Sequence, residues 1–283
     1  MKSDVIVVGS GIVGMACAWA ALQQGKSVQV IDRDPFCVGA SIRNFGFVTV
    51  TGQGSGDTWR RARRSRDVWA QIATLADIPV EHEGLWVLAQ RQQAQTVLQE
   101  LLHRPEGQGL QWLDAPALQE RAPHLAHATV RGALYSPYEL RIEARVAIEK
   151  LRLWLASQGV KFRMGQAVQQ VITGAVLAGD EWLQAERILV CPGPDTRSLF
   201  PEAFGQNNTQ LCQLQMLRVQ PPEGYRLGCA VMSDLSLVRY RGYSELPGAQ
   251  LLHDQLRVEC AQALDHGVHL IIVQSANGSL VVG

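Results

Sequence analysis

The hydrophobic pattern is densest near the N-terminus. Residues 4–8 read as a strand buried on both faces, 12–24 as a helix and 27–31 as a second strand, which together make a βαβ unit. Asp57 is a cap candidate, and a helix is predicted from it to about residue 76. Residues 83–89 read as a strand and 91–103 as a polar helix. Residues 142–157 predict another helix, because Ala147, Ile148, Leu151, Trp154 and Leu155 fall on one face that should pack on a sheet. Short strand patterns then crowd together at 160–164, 168–172, 175–178, 182–185 and 187–191, the middle ones joined by turns at Gly174 and Gly179-Asp180. From 209 to 273 the pattern is strand-like with Pro and Gly breaks.

Composition changes this picture in a few respects. With 283 residues, 47% hydrophobic and 18% charged, the chain can bury one large core or two smaller ones, and two lobes are expected. Lys plus Arg equals Asp plus Glu at 26 each, so no global field would hold a polyanion or an acidic membrane surface. The six cysteines (Cys17, Cys37, Cys191, Cys212, Cys229, Cys260) are scattered without a CxxC pair, which fits a reducing cytosol better than a disulfide scaffold. Lys2 and the mainly apolar residues 5–22 resemble a signal peptide, but Gly9, Gly11 and Gly14 interrupt the run, so strand, turn and helix explain it better. No other stretch approaches the roughly 18 uninterrupted apolar residues of a membrane span. A cytoplasmic location and no membrane span are expected. The seven histidines form no HxxxH or HxH pair, and no metal site is expected.

The strongest chemical signal is Gly9-Ser10-Gly11-Ile12-Val13-Gly14, a GxGxxG sequence between a strand and a helix. Gly9 suits the tight turn, Gly11 a close approach of backbone to a pyrophosphate, and Gly14 close contact of helix and sheet. The helix N-terminus would then face the anion. Asp32 ends the second strand, where a carboxylate accepts hydrogen bonds from ribose hydroxyls, with Arg33 beside it. NAD and FAD share this fingerprint. The segment 39–46, with Gly39, Ala40, Ser41, Arg43, Asn44 and Gly46, places small and hydrogen-bonding residues where a longer dinucleotide continues past its pyrophosphate, which favours FAD.

Here the chain resembles the D-amino-acid oxidase and glycine oxidase superfamily of FAD-dependent oxidoreductases, whose members carry a Gly-Ala-Ser-x-x-Asn-x-Gly type stretch. Residues 187–193, ending in Cys191-Pro192-Gly193, look like the family strand that ends in a glycine beside the cofactor, usually written Ala-Gly. Val168 matches the position whose backbone holds the adenine. Residues 277–283 are similar to the segment by which family chains return to the flavin domain. The resemblance implies an α/β fold: a Rossmann-type FAD-binding domain (1–80 and 142–205), a discontinuous, mostly antiparallel β substrate domain (81–141 and 206–274), and a returning strand at 275–283. Family members continue beyond this point, so the chain reads as C-terminally truncated.

The implied reaction is oxidation of a carbon–nitrogen bond in a small amine or amino acid-like substrate by hydride transfer to FAD, giving an imine that hydrolyses. Many family members fix a substrate carboxylate with an arginine where this chain has Gln274-Ser275-Ala276, which turns attention away from ordinary α-amino acids. The stretches 214–218 and 237–240, with His269 and Gln274, look most like a subgroup associated with aminophosphonate breakdown. Arg43, Arg218, Arg239, Tyr240, His269 and Gln274 are the substrate candidates. Two other readings stand beside this one: an inactive remnant, and a polyanion-binding protein using Arg60, Arg61, Arg63, Arg64 and Arg66, which would be a solvated helix face otherwise.

Overall fold

The computed structural model describes residues 2–283, which divide into two compact units. The first holds the residues up to Asn44, Ile72–Ile78 and Ala144–Gln213, and the second holds Phe45–Gln71, Pro79–Glu143 and Leu214–Gly283.

In the first unit the expected βαβ repeat builds a six-stranded sheet in the order Lys161–Met164, Val28–Asp32, Ser3–Val8, Glu181–Val190, Ala175–Ala178, Val168–Ile172. The first four strands are parallel, and the last two turn back as antiparallel hairpins. The residues expected to form two strands at 182–185 and 187–191 run as one. Its first half pairs with Ala175–Ala178 and its second with Ser3–Val8. Helix Ile12–Gln23 starts on Gly11 and stops where Gly25, at φ +71°, closes a left-handed cap with Gly25 N donating to Leu22 O and Lys26 N to Ala21 O. Helix Ala144–Ser157 buries Ala147, Ile148, Leu151 and Leu155 as its pattern predicts; it begins two residues late because Ile142 ends a strand. Ile6, Val8, Ile31, Val176, Leu183 and Ala185 share a buried cluster, each large side chain contributing about 1.5–3 kcal/mol.

The second unit is an eight-stranded sheet. Its order is Leu217–Val219, Leu280–Val282, Ile271–Gln274, Ala230–Met232, Val80–Ala89, Gly132–Ile142, Phe47–Val48, with Gln111–Asp114 also paired to Gly132–Ile142. All pairs are antiparallel except Ala230–Met232 with Val80–Ala89. Alternation along Val80–Ala89 feeds both faces. Leu85, Val87 and Ala89 pack with helices Gln92–Leu102 and Ala249–Glu259, while Trp86 joins Leu113, Leu118 and Val231.

Three sequence expectations are corrected here. Residues 45–71 belong to the second unit, where Phe47–Val48 extends its sheet, and 206–213 belong to the first. The segment 275–283 stays in the second unit: a tight turn at Ser275–Ser279 folds Leu280–Val282 back onto Ile271–Gln274 as a hairpin. The stretch 209–273 holds helix Ala249–Glu259, because Ala249, Leu252 and Leu256 recur at helical spacing. Among the described residues no helix is long and apolar enough to cross a membrane.

Helix Asp57–Leu75 carries the basic run. Arg60 pairs with Asp57, Arg63 stacks 4.0 Å from the Tyr138 ring, and Arg66 Nε donates to Tyr138 O at 2.9 Å. Three of its five arginines are thus engaged within the fold.

Candidate functional site

The parallel strands of the first unit deliver their C-terminal ends to one place, the usual ligand position in open α/β sheets. A cavity of about 400 Å³ opens there, lined by Gly9, Gly11, Asp32, Arg33, Ala40, Ser41, Val168, Cys191 and Gly193 from the expected set. Cys37, Pro194, Asp195 and Ser198, which the sequence did not single out as site residues, also line the wall. Ile12, Val13, Gly14, Arg43 and Asn44 belong to the same unit but not to this wall.

The three glycines of the turn do different work. Gly9 sits at φ +104°, and a Cβ there would stand 2.2 Å from Cys191 O; at Gly14 a Cβ would stand 1.9 Å from Gly9 O. Both are demanded by packing inside the protein. Gly11 differs, because its only near neighbour would be Ser41 Oγ at 3.0 Å. Its missing side chain leaves backbone open toward the cavity. Ile12 N, at the start of the helix, donates to Ser41 Oγ at 2.9 Å, so a polar oxygen already occupies the anion-binding end of the helix. Asn44 Nδ2 donates to Ala40 O and Ser41 O, bracing the short helical turn Ala40–Ile42 that presents this serine. Val13 is 63% exposed and Arg43 is exposed.

Asp32 is fixed before any ligand arrives. Ser10 N donates to Oδ2 at 2.6 Å, Ser10 Oγ donates to the same oxygen at 2.7 Å, and Asp34 N donates to Oδ1 at 3.0 Å. A carboxylate oxygen carries two lone pairs, so Oδ1 keeps one acceptor position. Arg33 Nη1 reaches Asp195 Oδ2 at 2.6 Å. Asp195 also accepts from Ser198 N and Oγ and from Arg197 N, and these bonds hold its carboxyl far below the usual carboxylate range. Burial pushes the Cys191 thiol up to about 11, helped by a hydrogen bond with Cys17, and raises Cys37 as well. Both thiols of the wall are therefore neutral at physiological pH and do not oppose an anion. The glycine cradle, the helix N-terminus and the clamped acid fit an FAD pyrophosphate and ribose.

The remaining candidates lie in the second unit and fall into two groups. Gln274 is 7% exposed and its amide is fully used: Oε1 accepts from Leu227 N at 2.9 Å, and Nε2 donates to Tyr225 O at 3.0 Å and Gly278 O at 2.9 Å. It braces the hairpin at 275–279. Arg218 Nη1 donates to Ser279 Oγ at 2.7 Å on the same hairpin. Tyr240 and His269 form a separate edge-to-face pair at 5.4 Å near Arg239, and Tyr240 packs on the helix-covered face. Burial lowers the His269 pKa, with Arg239 acting in the same direction. Gly46 is also in this unit at φ +62°, where a Cβ would stand 1.9 Å from Ile142 O. Its role is packing in the sheet rather than a place on the cavity wall.

Sequence reasoning also missed Arg141, a 2% exposed residue of strand Gly132–Ile142. Burial lowers its pKa, opposed by Glu143. Nothing in a lone arginine between Leu140 and Ile142 announces burial except its place in an apolar strand.

Comparison with known proteins fits this geometry. An opine oxidase subunit from Agrobacterium tumefaciens (strain Ach5) is 24% identical over 220 residues, which is 70% of this chain and 58% of that protein. The chain thus spans less than two thirds of that relative. Glycine oxidase from Bacillus cereus ATCC 14579 superposes with a TM-score of 0.71 at 15% identity, covering 100% of this chain and 70% of that one. L-alpha-glycerophosphate oxidase from Mycoplasma pneumoniae, solved with FAD bound, gives 0.70 at 15% identity, covering 100% of this chain and 71% of that one. Both likenesses concern the fold. Residues 4–283 match the FAD dependent oxidoreductase family, DAO, and the chain belongs to that family.

Proposed function

We propose that the protein is an FAD-dependent oxidoreductase that oxidises the carbon–nitrogen bond of a small amine bearing an anionic group, an amino acid-like compound or an aminophosphonate. The carrying observation is the cavity at the glycine turn, where Gly11 leaves backbone open beside a helix N-terminus and a clamped Asp32. In this reading the first unit is the flavin domain and the second the substrate domain. Gly9 and Gly11 bring backbone against the pyrophosphate, and the N-terminal end of Ile12–Gln23 lays its dipole toward the negative charge. Ser10 orients Asp32, whose spare acceptor position takes a ribose hydroxyl. The backbone at Val168, on the last strand of the sheet, meets the adenine, and Ser41, Cys191 and Gly193 line the way past the pyrophosphate.

FAD, when bound, supplies the two-electron acceptor for the carbon–nitrogen oxidation. The amine is held neutral with its α-hydrogen directed at that acceptor, and the imine product hydrolyses to a carbonyl compound. The chain's own task is to orient and to exclude water, so no protein nucleophile is required. Glycine oxidase and opine oxidase among the similar proteins support a small amine-bearing substrate.

The test is the absorption spectrum of the purified protein, followed by anaerobic addition of glycine and 2-aminoethylphosphonate. Stoichiometric flavin that bleaches with one of these amines is expected. Colourless protein that binds no added FAD, or turnover requiring NAD or NADP, would overturn the reading.

A further inference from the structure

Two loops that follow different strands supply much of the cavity wall: residues 33–41 come after Val28–Asp32, and residues 191–199 after Glu181–Val190. These strands are not neighbours, because Ser3–Val8 lies between them and pairs with both. Their ends are thus two strand spacings apart, about 10 Å, with the glycine turn leaving the sheet in the gap. Arg33 and Asp195 close that distance, Nη1 donating to Oδ2 at 2.6 Å, and the loops approach again where a Cβ on Gly39 would stand 4.0 Å from Pro194 Cδ. The two ends of the bridge differ. The Asp195 side chain is 16% exposed and is set by its own loop: Oδ1 accepts from Arg197 N at 3.1 Å and Ser198 N at 2.9 Å, and Oδ2 from Ser198 Oγ at 2.6 Å. The Arg33 side chain is 55% exposed, and its other carboxylate neighbour, Asp34, lies 3.6 Å from Nε. A pinned acceptor facing a long, exposed donor makes a contact that opens by movement of the arginine.

We propose that Asp195 is a positioning residue for the cofactor: it holds Arg33 across the crevice as a strap, and FAD enters and leaves when that strap opens. The inference rests on the reading of this cavity as the FAD site. Ligands of open α/β sheets lie in the crevice beyond the strand ends, at the point where the strands run off to either side of the first one. A bridge between the two flanking loops therefore crosses the path of a dinucleotide seated on the glycine turn. Asp195 suits the task because its own loop fixes it, with no ligand needed. A charged hydrogen bond with one half-exposed member is worth about threefold to tenfold in an equilibrium, enough to slow exchange without shutting the cavity. A strap slows entry and exit alike, whereas a group that only touches bound FAD slows exit alone.

The experiment is stopped-flow mixing of the flavin-free full chain with FAD, followed by flavin fluorescence, together with dilution of the flavin-loaded protein to read dissociation, at low and high salt. Asp195→Asn keeps an acceptor for Arg197 N and Ser198 N but removes the charge, and it should raise both rates about threefold to tenfold while Kd changes by less than about threefold. Arg33→Met should do the same, and the double variant should exchange FAD no faster than either single one. Arg33→Lys, which keeps the charge without the fork, should fall between these and the parent. Salt should speed exchange more in the parent than in Asp195→Asn. Urea midpoints of the flavin-free forms show whether each variant folds, and if Asp195→Asn does not, Arg33→Met, an exposed change, carries the test. Unchanged rates, or faster dissociation with parental association, would overturn the proposal. Protein that takes up no FAD removes the oxidoreductase reading and the strap together; FAD bound with parental kinetics in every variant removes the strap alone.

Discussion

Gly9 and Gly11 are two residues apart in one motif, yet replacement by alanine should damage different properties. At Gly9 the new Cβ would stand 2.2 Å from Cys191 O, at a φ of +104° that side chains resist. The backbone conformation costs about 1–2 kcal/mol and relief of the overlap about 1–3 kcal/mol. Gly9→Ala should therefore lose roughly 2–5 kcal/mol of stability, lowering Tm by roughly 5–15 °C. At Gly11 the backbone is extended, at φ −68° and ψ 177°, and the Cβ meets only a serine hydroxyl able to turn away. As a helix N-cap, alanine in place of glycine costs about 0.5–1 kcal/mol. The larger loss at Gly11 falls on the ligand, because the methyl group holds a pyrophosphate off the helix N-terminus. Forfeiting one hydrogen bond to a charged group, about 1.5–3 kcal/mol, weakens FAD about 10- to 100-fold. Thermal unfolding of flavin-free protein, together with titration of FAD fluorescence, separates the two effects. The reasoning fails if Gly11→Ala binds FAD like the parent, or if Gly9→Ala unfolds at the parental temperature.

Other expectations can be checked individually. Asp32→Ala should reduce flavin retention on gel filtration without creating a nicotinamide requirement, and turnover dependent on added NAD would reverse the cofactor assignment. Burial, reinforced by Arg141, pushes His82 down to about 4 from 6.5, so on acidification the unfolded chain takes up this proton first. Stability is then lost as pH falls from 6.5 toward 4, by at most about 3 kcal/mol, and His82→Gln should flatten that part of the urea-midpoint profile; an unchanged slope contradicts it. Arg91 joins Asp234 at 2.8 Å and Glu259 at 2.6 Å, and the Asp234 side chain is 2% exposed. Arg91→Met should cost about 3 kcal/mol in chemical denaturation, and Arg91→Met with Asp234→Leu should recover part of it; a single variant as stable as the parent argues against the pair.

What the sequence made legible was local. The glycine turn, its flanking strands and the face of helix Ala144–Ser157 are written in periodicity and spacing, and each formed where expected. Strand Gly132–Ile142 was missed because Pro137, Ser136, Glu139 and Arg141 hide its alternation. One of its buried acceptors is met from a distant segment: Glu139 Oε1 accepts from Val50 N and Thr51 N, 89 and 88 residues away. The clamp on Asp32 was invisible for the same reason, since Ser10 is 22 residues from it and reads as an ordinary motif spacer. Gln274 was a substrate candidate, but the structure employs its amide on neighbouring backbone, a use that no spacing rule distinguishes from ligand binding.

The central strand of the first unit imposes an order of events on synthesis. Ser3–Val8 can pair with Val28–Asp32 as soon as both exist, but its other edge waits for Glu181–Val190, with Ser3 opposite Ala185. At about 5–20 residues per second the ribosome needs roughly 10–40 s to supply that partner, during which an apolar strand edge stays open. Cys191, whose carbonyl closes against Gly9, arrives with the same segment. No early nascent chain can therefore hold a finished dinucleotide cradle, and cofactor capture must follow the closing of the sheet. A chaperone that shields strand edges would gain most by acting in that interval.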